Sequence, residues 1–432
     1  MSEVVGVMGI VLVLTLAAAG MPIAFAMAIV GFTGFSYLVG VQGALTKLSV
    51  VPFTIASSYD YSVIPLFMLM GFVLFEAGFT SNLYNFTHKW LARLPGGIAM
   101  ATVGACAIFA AVSASSMATA ATMGLVAIPE MRRLKYDLKL ATGCVAAGGG
   151  LGILIPPSGI LMLYGIITEQ SIGKLFLAGI IPGIVQAAFF MGTIYIMCRL
   201  RPDLGPRGPK ASFVEKIASF KGCAEILALL TLSLGGLFIG WFTPSEAGAV
   251  AAFGAILLAL LRRRLNWTKF WRACVDTVKT TGMIYAMIIG AFIFNFLMAA
   301  SDVPVKLADF VRTLDLPTLS IILMMFLTYL ILGCVLDALA MVILTLPIFF
   351  PLILNLGVDP IWFGIFIVTI VEIGLITPPV GMNVFVISGV AKDVPMPTIF
   401  RGIMPFLCAD IIHVGLILLV PQIVLFLPNL AG

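Results

Sequence analysis

The chain has 432 residues, of which 61% are hydrophobic and 10% charged, with a mean hydropathy of +1.17. Soluble domains carry about 25% charged residues, so the composition excludes a soluble enzyme or a nucleic-acid binder and points to a polytopic membrane protein. The formal net charge of +5 is a topology signal here, not an affinity for polyanions.

Apolar runs of about 17–25 residues can cross a bilayer. They lie near 4–20, 22–40, 63–79, 140–169, 174–198, 223–240, 245–261, 276–300, 361–390 and 398–428. Glu3 precedes the first run with no basic residue ahead of it, which argues against a cleaved signal peptide. Tyr59, Asp60 and Tyr61 fall in an outer loop and read as a contact surface. Two longer regions, 98–129 and 318–354, exceed one crossing and carry polar interruptions at Ser113–Thr119 and Gly333–Asp337. The segment 199–222 is a polar linker rich in Pro and Gly. Thr243-Pro244-Ser245-Glu246 reads as an N-terminal cap for the run 245–261. The seven cysteines, Cys334 among them, show no close pairing or metal spacing and read as small packing residues. Asp410 and His413 in the last run read as packing or interface features.

Basic residues set the orientation. His88, Lys89 and Arg93 precede 98–129, and Arg132, Arg133, Lys135 and Lys139 follow it. If both flanks are cytoplasmic, this region enters and leaves on one side as a re-entrant hairpin. Of the 24 Lys and Arg, four then lie outside (Lys47, Lys174, Lys306, Arg312), Lys279 starts a helix, and the remaining 19 lie inside. This frame gives ten spans, two hairpins and a periplasmic N-terminus.

Two segments repeat the pattern G-x-x-x-P-P-x-G. They are Gly152-Ile-Leu-Ile-Pro156-Pro157-Ser158-Gly159 and Gly374-Leu-Ile-Thr377-Pro378-Pro379-Val-Gly381, 222 residues apart. A double proline breaks a helix, because it removes N–H donors and clashes with the preceding turn. The same offset pairs Pro129 with Pro351 and Ser115 with Asp337, and carries 63–79, 98–129 and 140–169 onto 285–301, 320–351 and 362–391. With the charge pattern, the two copies run in opposite senses through the membrane. Inverted repeats with matched breaks point to a secondary transporter with its site at mid-membrane. The expected organisation is N-terminal scaffold helices in 1–62, a first repeat in 63–198, a linker and central scaffold helices in 199–275, and a second repeat in 276–428. The broken helices are placed at 140–169 and 361–390.

An irregular hairpin tip inside the bilayer must be buried in protein or line a wet cavity. Broken-helix ends supply carbonyl oxygens for a cation and N–H groups for an anion, a combination suited to Na⁺ with a carboxylate substrate. Carbonyls freed at Gly152, Ile155, Gly374 and Thr377 are expected to face the ion, with Ser115 and Asp337 nearby. A charge at mid-membrane costs about 2.5–3.5 kcal/mol on the insertion scale, which favours a site role for Asp337. Ser116, Ser158 and Asn383 are candidate substrate contacts, Asn383 as a donor. Serines at such positions also serve as small packing residues. Glu372 fits a site role or a structural hydrogen bond equally well.

The chain resembles the large membrane subunit (the M, or DctM-like, component) of tripartite ATP-independent periplasmic (TRAP) transporters. The resemblance rests on Gly152…Pro156-Pro157-Ser158-Gly159…Tyr164-Gly165, Phe242-Thr-Pro-Ser-Glu-Ala-Gly-Ala, Gly333…Asp337 with Pro347, and Gly374-Leu-Ile-Thr-Pro-Pro-Val-Gly-Met-Asn383. It implies an inner-membrane permease that takes up an organic acid (a C4-dicarboxylate, keto acid, sugar acid or sialic acid) on a Na⁺ gradient. It also implies an elevator motion and two partners, a periplasmic DctP-like binding protein and a small four-helix DctQ-like subunit expected as a separate chain. Two Na⁺ sites follow from the resemblance. One comprises Ser113, Ser115, Gly152, Ile155 and Pro156, the other Gly333, Asp337, Gly374, Thr377 and Pro378. Ser115 opposite Asp337 departs from symmetry, so the sites are expected to differ in charge and affinity. The alternative is a stand-alone Na⁺/divalent-anion symporter, whose usual Ser-Asn-Thr tip motif is missing. A membrane enzyme finds no support in a chain with two histidines and no nucleophile elbow. A channel also accommodates matched helix breaks, and dependence on a binding protein would exclude it.

Overall fold

A computed structural model describes residues 2–430, apart from 114, 315, 334, 335 and 380 and the side chain of Arg312. Ala114, Cys334 and Val335 in the predicted tips, and Val380 in the second break, thus lie outside the described residues. The first half comprises α1 (Ser2–Ala18), α2 (Ile23–Val39), α3 (Val41–Ser57), a 3₁₀ turn (Tyr59–Ser62), α4 (Val63–Glu76), α5 (Thr80–Leu91), α6 (Gly97–Ser113), α7 (Ser116–Arg133), α8 (Leu138–Leu154), α9 (Gly159–Thr168) and α10 (Ile172–Leu200). The second half comprises α11 (Phe213–Ile239), α12 (Pro244–Leu261), α13 (Trp267–Ser301), α14 (Val303–Thr313), α15 (Thr318–Gly333), α16 (Ala338–Asn355), α17 (Pro360–Ile376), α18 (Met382–Val390), α19 (Met396–Leu419) and α20 (Gln422–Leu430). Among the described residues, eight helical stretches are long and apolar enough to cross a membrane. This is an all-α polytopic membrane protein with two helical hairpins and two broken helices.

Local chemistry explains the interruptions. The twin prolines end α8 at Leu154 and α17 at Ile376. Helix α9 restarts behind Ser158, whose Oγ accepts from Leu161 N at 3.3 Å. Helix α18 restarts behind Gly381, at φ +58°, a conformation suited to a residue without Cβ. Within the hairpins, Ser115 caps α7 by accepting from Ala118 N at 3.4 Å, and Asp337 caps α16 by accepting from Ala340 N at 2.8 Å.

The 222-residue frame extends well beyond the prolines. Shifted by 222, Ser116–Arg133 becomes 338–355, the range of α16, and Leu138–Leu154 becomes 360–376, the range of α17. Asp137 and Asp359 cap these two helices in the same way. By the same shift α1 corresponds to α11, α2 to α12, α5 to α14, and α10 to α19. One difference stands out. The 35-residue rod α13 occupies the place of α3, the 3₁₀ turn and α4. Ser58-Tyr59-Asp60-Tyr61-Ser62 interrupts the first copy because its short polar side chains compete with helical hydrogen bonding: Ser62 Oγ donates to Tyr59 O at 2.6 Å. The matching Thr280-Thr281-Gly282-Met283-Ile284 stays helical.

Several expectations need correction. The run 63–79 ends earlier, at Glu76, and α3, α5 and α14 are helices the span rule did not register. The run 276–300 starts earlier, at Trp267, which puts Lys269 and Arg272 on the helix. The run 398–428 is two helices, parted at Val420-Pro421. Tyr61 is not a contact surface: it is buried, and its carbonyl accepts from Tyr285 Oη at 3.0 Å. Thr243 caps α12 with Glu246 reciprocating and Pro244 in the first turn, as the motif implied.

The helices pack as two groups. In one, α2 lies against α1, α3 and α13, and α4 lies against α12 and α13. In the other, α8 is enclosed by α6, α7, α10, α17 and α19, and every residue from Leu140 to Leu154 is buried. Contacts of α4 with α6 and α9, and of α13 with α16, join the groups. The candidate site lies at this seam.

Candidate ion and substrate site

At the first hairpin tip, Ser113 Oγ and Thr119 Oγ1 share a hydrogen at 2.6 Å, and Thr119 Oγ1 donates to Ser115 O at 2.8 Å. The last turn of α8 packs against this carbonyl. A Cβ on Gly152 would come within 2.8 Å of Ser115 O, so only glycine fits without displacement. At the second tip, Gly333 and Gly374 meet backbone to backbone: a Cβ on Gly333 would come within 2.7 Å of Gly374 Cα. Each hairpin tip thus presses on the end of its own broken helix, at matched places in the two copies.

The two junctions share a cavity of about 180 Å³. Its walls include Ser115, Ser116 and Met117 from the first tip and Asp337, Ala338 and Leu339 from the second. Gly159, Ile160 and Met382, from the starts of α9 and α18, also line it. Residues at four helix N-termini therefore surround one space, where free N–H groups and the positive end of each helix dipole favour an anion. The far wall belongs to the other helix group: Met68 of α4 and Thr280, Met283, Ile284 and Met287 of α13. A wider cleft of about 340 Å³ shares Met68, Ser115, Met117, Thr280 and Met283 with it and reaches Ser113. Among the described residues lining either space, Asp337 is the only ionisable one. A larger groove of about 740 Å³ runs along α1 and α2, but its described lining is apolar apart from Thr15, Thr33 and Tyr37 and holds no charged residue.

The other sequence candidates fall around this cavity with varied roles. Asn383 is fully buried and turned away from it. Its Nδ2 donates to Ser116 Oγ at 2.7 Å and to Ala146 O at 3.1 Å, so both donors expected to reach a substrate are engaged between α7, α8 and α18. Ser158 Oγ donates to Ile153 O, and Thr377 Oγ1 donates to Ile373 O at 2.6 Å, both within the broken helices. The amide of Ile155 still donates to Leu151 O at 3.1 Å, and its side chain packs on Gly183. Pro156 is buried and Pro378 half-buried beside their tips. Glu372 lies behind the second break, fully buried and outside the cavity. Asp410 and His413 are also fully buried, which makes them interior rather than interface groups. Sequence reasoning passed over Thr119, although its spacing of four from Ser115 is the usual geometry of a helical hydroxyl–carbonyl bond. It also passed over Thr280 and Gln186, single polar residues in apolar runs.

Two packed helix groups with paired hairpins and broken helices at their seam define a membrane transporter fold. The arrangement is similar to that of the YdaH transporter of Alcanivorax borkumensis, with a TM-score of 0.60 at 15% identity over 90% of this chain and 88% of that one. Neisseria gonorrhoeae MtrF gives a TM-score of 0.59 at 15% identity over 90% of this chain and 84% of that one. These likenesses concern the fold alone. The sequence profile described as "Tripartite ATP-independent periplasmic transporter, DctM component" matches residues 10–423. The C4-dicarboxylate TRAP transporter large permease protein DctM of Pseudomonas aeruginosa is 36% identical over 91% of this chain and 94% of its own length. The sialic acid TRAP transporter large permease protein SiaM of Vibrio cholerae is 34% identical over 95% and 96%. The 2,3-diketo-L-gulonate TRAP transporter large permease protein YiaN of Escherichia coli is 34% identical over 90% and 91%. The chain belongs to the DctM family, the large permeases of TRAP transporters.

Proposed function

We propose that this chain carries a small organic acid inward across the bacterial inner membrane, coupled to Na⁺, receiving it from a periplasmic binding protein and working beside a small membrane subunit. The observation that carries this reading is the meeting of both hairpin tips and four helix starts at one cavity between two helix groups. Hard oxygens stand at the tips: the Ser115 carbonyl with the Ser113 and Thr119 hydroxyls at one, and the Asp337 carboxylate, capping α16, at the other. These are ligands suited to Na⁺. The helix starts favour a carboxylate substrate without any Lys or Arg in the lining. A bound cation at each tip would also reduce the repulsion between the acid and Asp337.

The group holding the tips is the proposed moving body, and the wall formed by α4 and α13 the fixed one, which amounts to an elevator. Methionines 68, 283 and 287 suit a sliding wall, since an unbranched thioether adapts to changing partners. The named substrates of the relatives set the range: C4-dicarboxylate, sialic acid and 2,3-diketo-L-gulonate are all anionic acids. On this reading the N-terminus faces the periplasm, as the Lys and Arg distribution favours.

The test uses the permease reconstituted with its small subunit and each candidate binding protein. Uptake is expected to require both the binding protein and an inward Na⁺ gradient, and to fail when K⁺ replaces Na⁺. Equal uptake in K⁺ would overturn the coupling. Full uptake without any binding protein would favour a stand-alone symporter.

A further inference from the structure

Helix α13 has 35 residues, a length of about 52 Å at 1.5 Å per residue. The hydrocarbon of a bilayer is about 30 Å thick, and even a tilt of about 40° stretches a crossing only to about 39 Å. Residues 280–301 carry no charge and fill that crossing. The excess is therefore the Trp267–Lys279 end. Here Trp267 and Trp271 are 74% and 60% exposed and stack on each other, with ring centroids 6.5 Å apart. Together with Val278 they make one exposed stripe, flanked by Arg272 and Lys279 two turns apart, while Ala273 and Thr277 are buried on the other side. The corner that leads into α13 is Arg262-Arg263-Arg264. Arg262 is held by Glu225 of α11, its Nε donating to Oε2 at 3.0 Å, and the Arg264 guanidinium lies 5.0 Å over the Phe79 ring. Arg263, Arg272 and Lys279 are exposed, and among the described residues none of them makes an ion pair or a side-chain hydrogen bond. Asp276, half-buried on the same stretch, bridges to none of the three.

Exposed indoles and unpaired cations just beyond the hydrocarbon match the chemistry of a lipid headgroup. An indole settles at headgroup level, where its flat face meets chain and its N–H meets water or ester oxygen. A zwitterionic lipid would satisfy the indoles but would also bring an ammonium to the cations. An anionic lipid satisfies both, and a protein partner on this face would have to supply acids for three cations. We infer that the Trp267–Lys279 end of α13, with Arg263, is a binding site for an anionic phospholipid. Arg263, Arg272 and Lys279 draw the phosphate, and Trp267 and Trp271 lie against the glycerol and upper chains. This is the kind of basic, juxtamembrane surface that recognises anionic headgroups. The same helix runs without a break into Thr280, Met283, Ile284 and Met287, which line the cavity. On the transport reading above, the lipid therefore anchors the fixed wall past which the hairpin tips move.

Tryptophan fluorescence of the permease with its small subunit reads the site without transport. The complex is placed in phosphatidylcholine vesicles that contain brominated phosphatidylglycerol or, at the same mole fraction, brominated phosphatidylcholine. The difference between wild type and Trp267→Phe/Trp271→Phe isolates the quenching of these two indoles. Phosphatidylglycerol is expected to quench them at lower mole fraction than phosphatidylcholine does, and the preference is expected to weaken as salt rises. Arg263→Gln, Arg272→Gln and Lys279→Gln are each expected to reduce the preference by up to about 5-fold. The proposal is overturned if the two lipids quench alike, or if the preference survives the triple substitution. It is also overturned if neither lipid reaches the indoles, which would mean that the small subunit covers this face. Should the triple variant fail to assemble, Arg263→Gln alone and the salt series on the wild type decide, and a preference indifferent to both rejects the site. Uptake is expected to be faster with phosphatidylglycerol present than without it. A lipid preference in a complex that shows no Na⁺-driven uptake would leave the lipid site standing and reject the transport reading instead.

Discussion

The two copies of the repeat share a backbone and differ in charge. Where the first copy has Ser115, Gly150 and Ala188, the second has Asp337, Glu372 and Asp410. The helix ranges coincide under one shift, both tips press on a broken helix, and both tips line the same cavity. The frame that brings main-chain ends together is thus built twice, whereas carboxyl groups stand at these three positions in the second copy alone. Geometry can be duplicated at little cost. A buried ionisable group is expensive wherever it stands, and among the described residues the fully buried carboxyl groups, Glu372 and Asp410, lie in the second copy.

Substitutions at the two tips sharpen this contrast most. Asp337→Asn is expected to weaken Na⁺ dependence of uptake by about 10–100-fold, the loss of a charged ligand at about 1.5–3 kcal/mol. Ser115→Ala, which removes a neutral hydroxyl and a cap, should cost less than about 10-fold. Sodium titrations of uptake in reconstituted vesicles read both. Equal losses at the two tips would erase the distinction.

The glycines test the opposite half of the comparison, that the frame is symmetric. Gly152→Ala and Gly333→Ala each drive a Cβ against backbone, at 2.8 Å and 2.7 Å. Both are expected to destabilise by about 1–3 kcal/mol through overpacking, lowering the thermal unfolding midpoint by similar amounts. A drop at one junction only would break the symmetry. Asn383→Ala removes the buried bonds to Ser116 and Ala146 that tie α18 to the first hairpin. It is expected to cost about 1–3 kcal/mol and to lower stability before it changes substrate preference. A selective change in affinity for the acid, with stability intact, would return Asn383 to the substrate.

The smallest effect lies outside the membrane, where Arg132 at the end of α7 pairs with Asp393 after α18, at 2.8 Å. The guanidinium holds the Asp393 carboxyl below the usual carboxylate range. Its contribution is therefore present above about pH 4, the ordinary Asp value, and is lost as pH falls through the lowered one. Both side chains are partly or largely exposed, so the contribution is small and salt-sensitive. Asp393→Asn should leave stability at neutral pH nearly unchanged and remove a slight acid-side loss, measured by unfolding at low salt across pH 3–6.

Much of this architecture was legible in the sequence because proline and glycine act locally. Pro156-Pro157 and Pro378-Pro379 must interrupt helices whatever surrounds them, and basic clusters flank 98–129 on both sides. The helices that escaped notice, α3, α5 and α14, are short or amphipathic, so a rule based on about 20 apolar residues misses them. The full reach of the repeat was hidden because the halves share few residues beyond the break motifs. At the site, the tips could be read from spacing. The wall of Met68, Met283 and Met287 could not, since it depends on how two helix groups dock. Asn383 looked like a donor to substrate until α18 was seen folded against α7.

A high-resolution structure of the permease with its small subunit, in Na⁺ and with a transported acid, addresses the central claim most directly. Cations are expected beside the Ser115 carbonyl and beside Asp337 and Gly374, with the acid against the starts of α7 and α16, facing Met283 and Met287. An acid bound away from this seam, or hairpin tips free of ions in saturating Na⁺, would contradict the account.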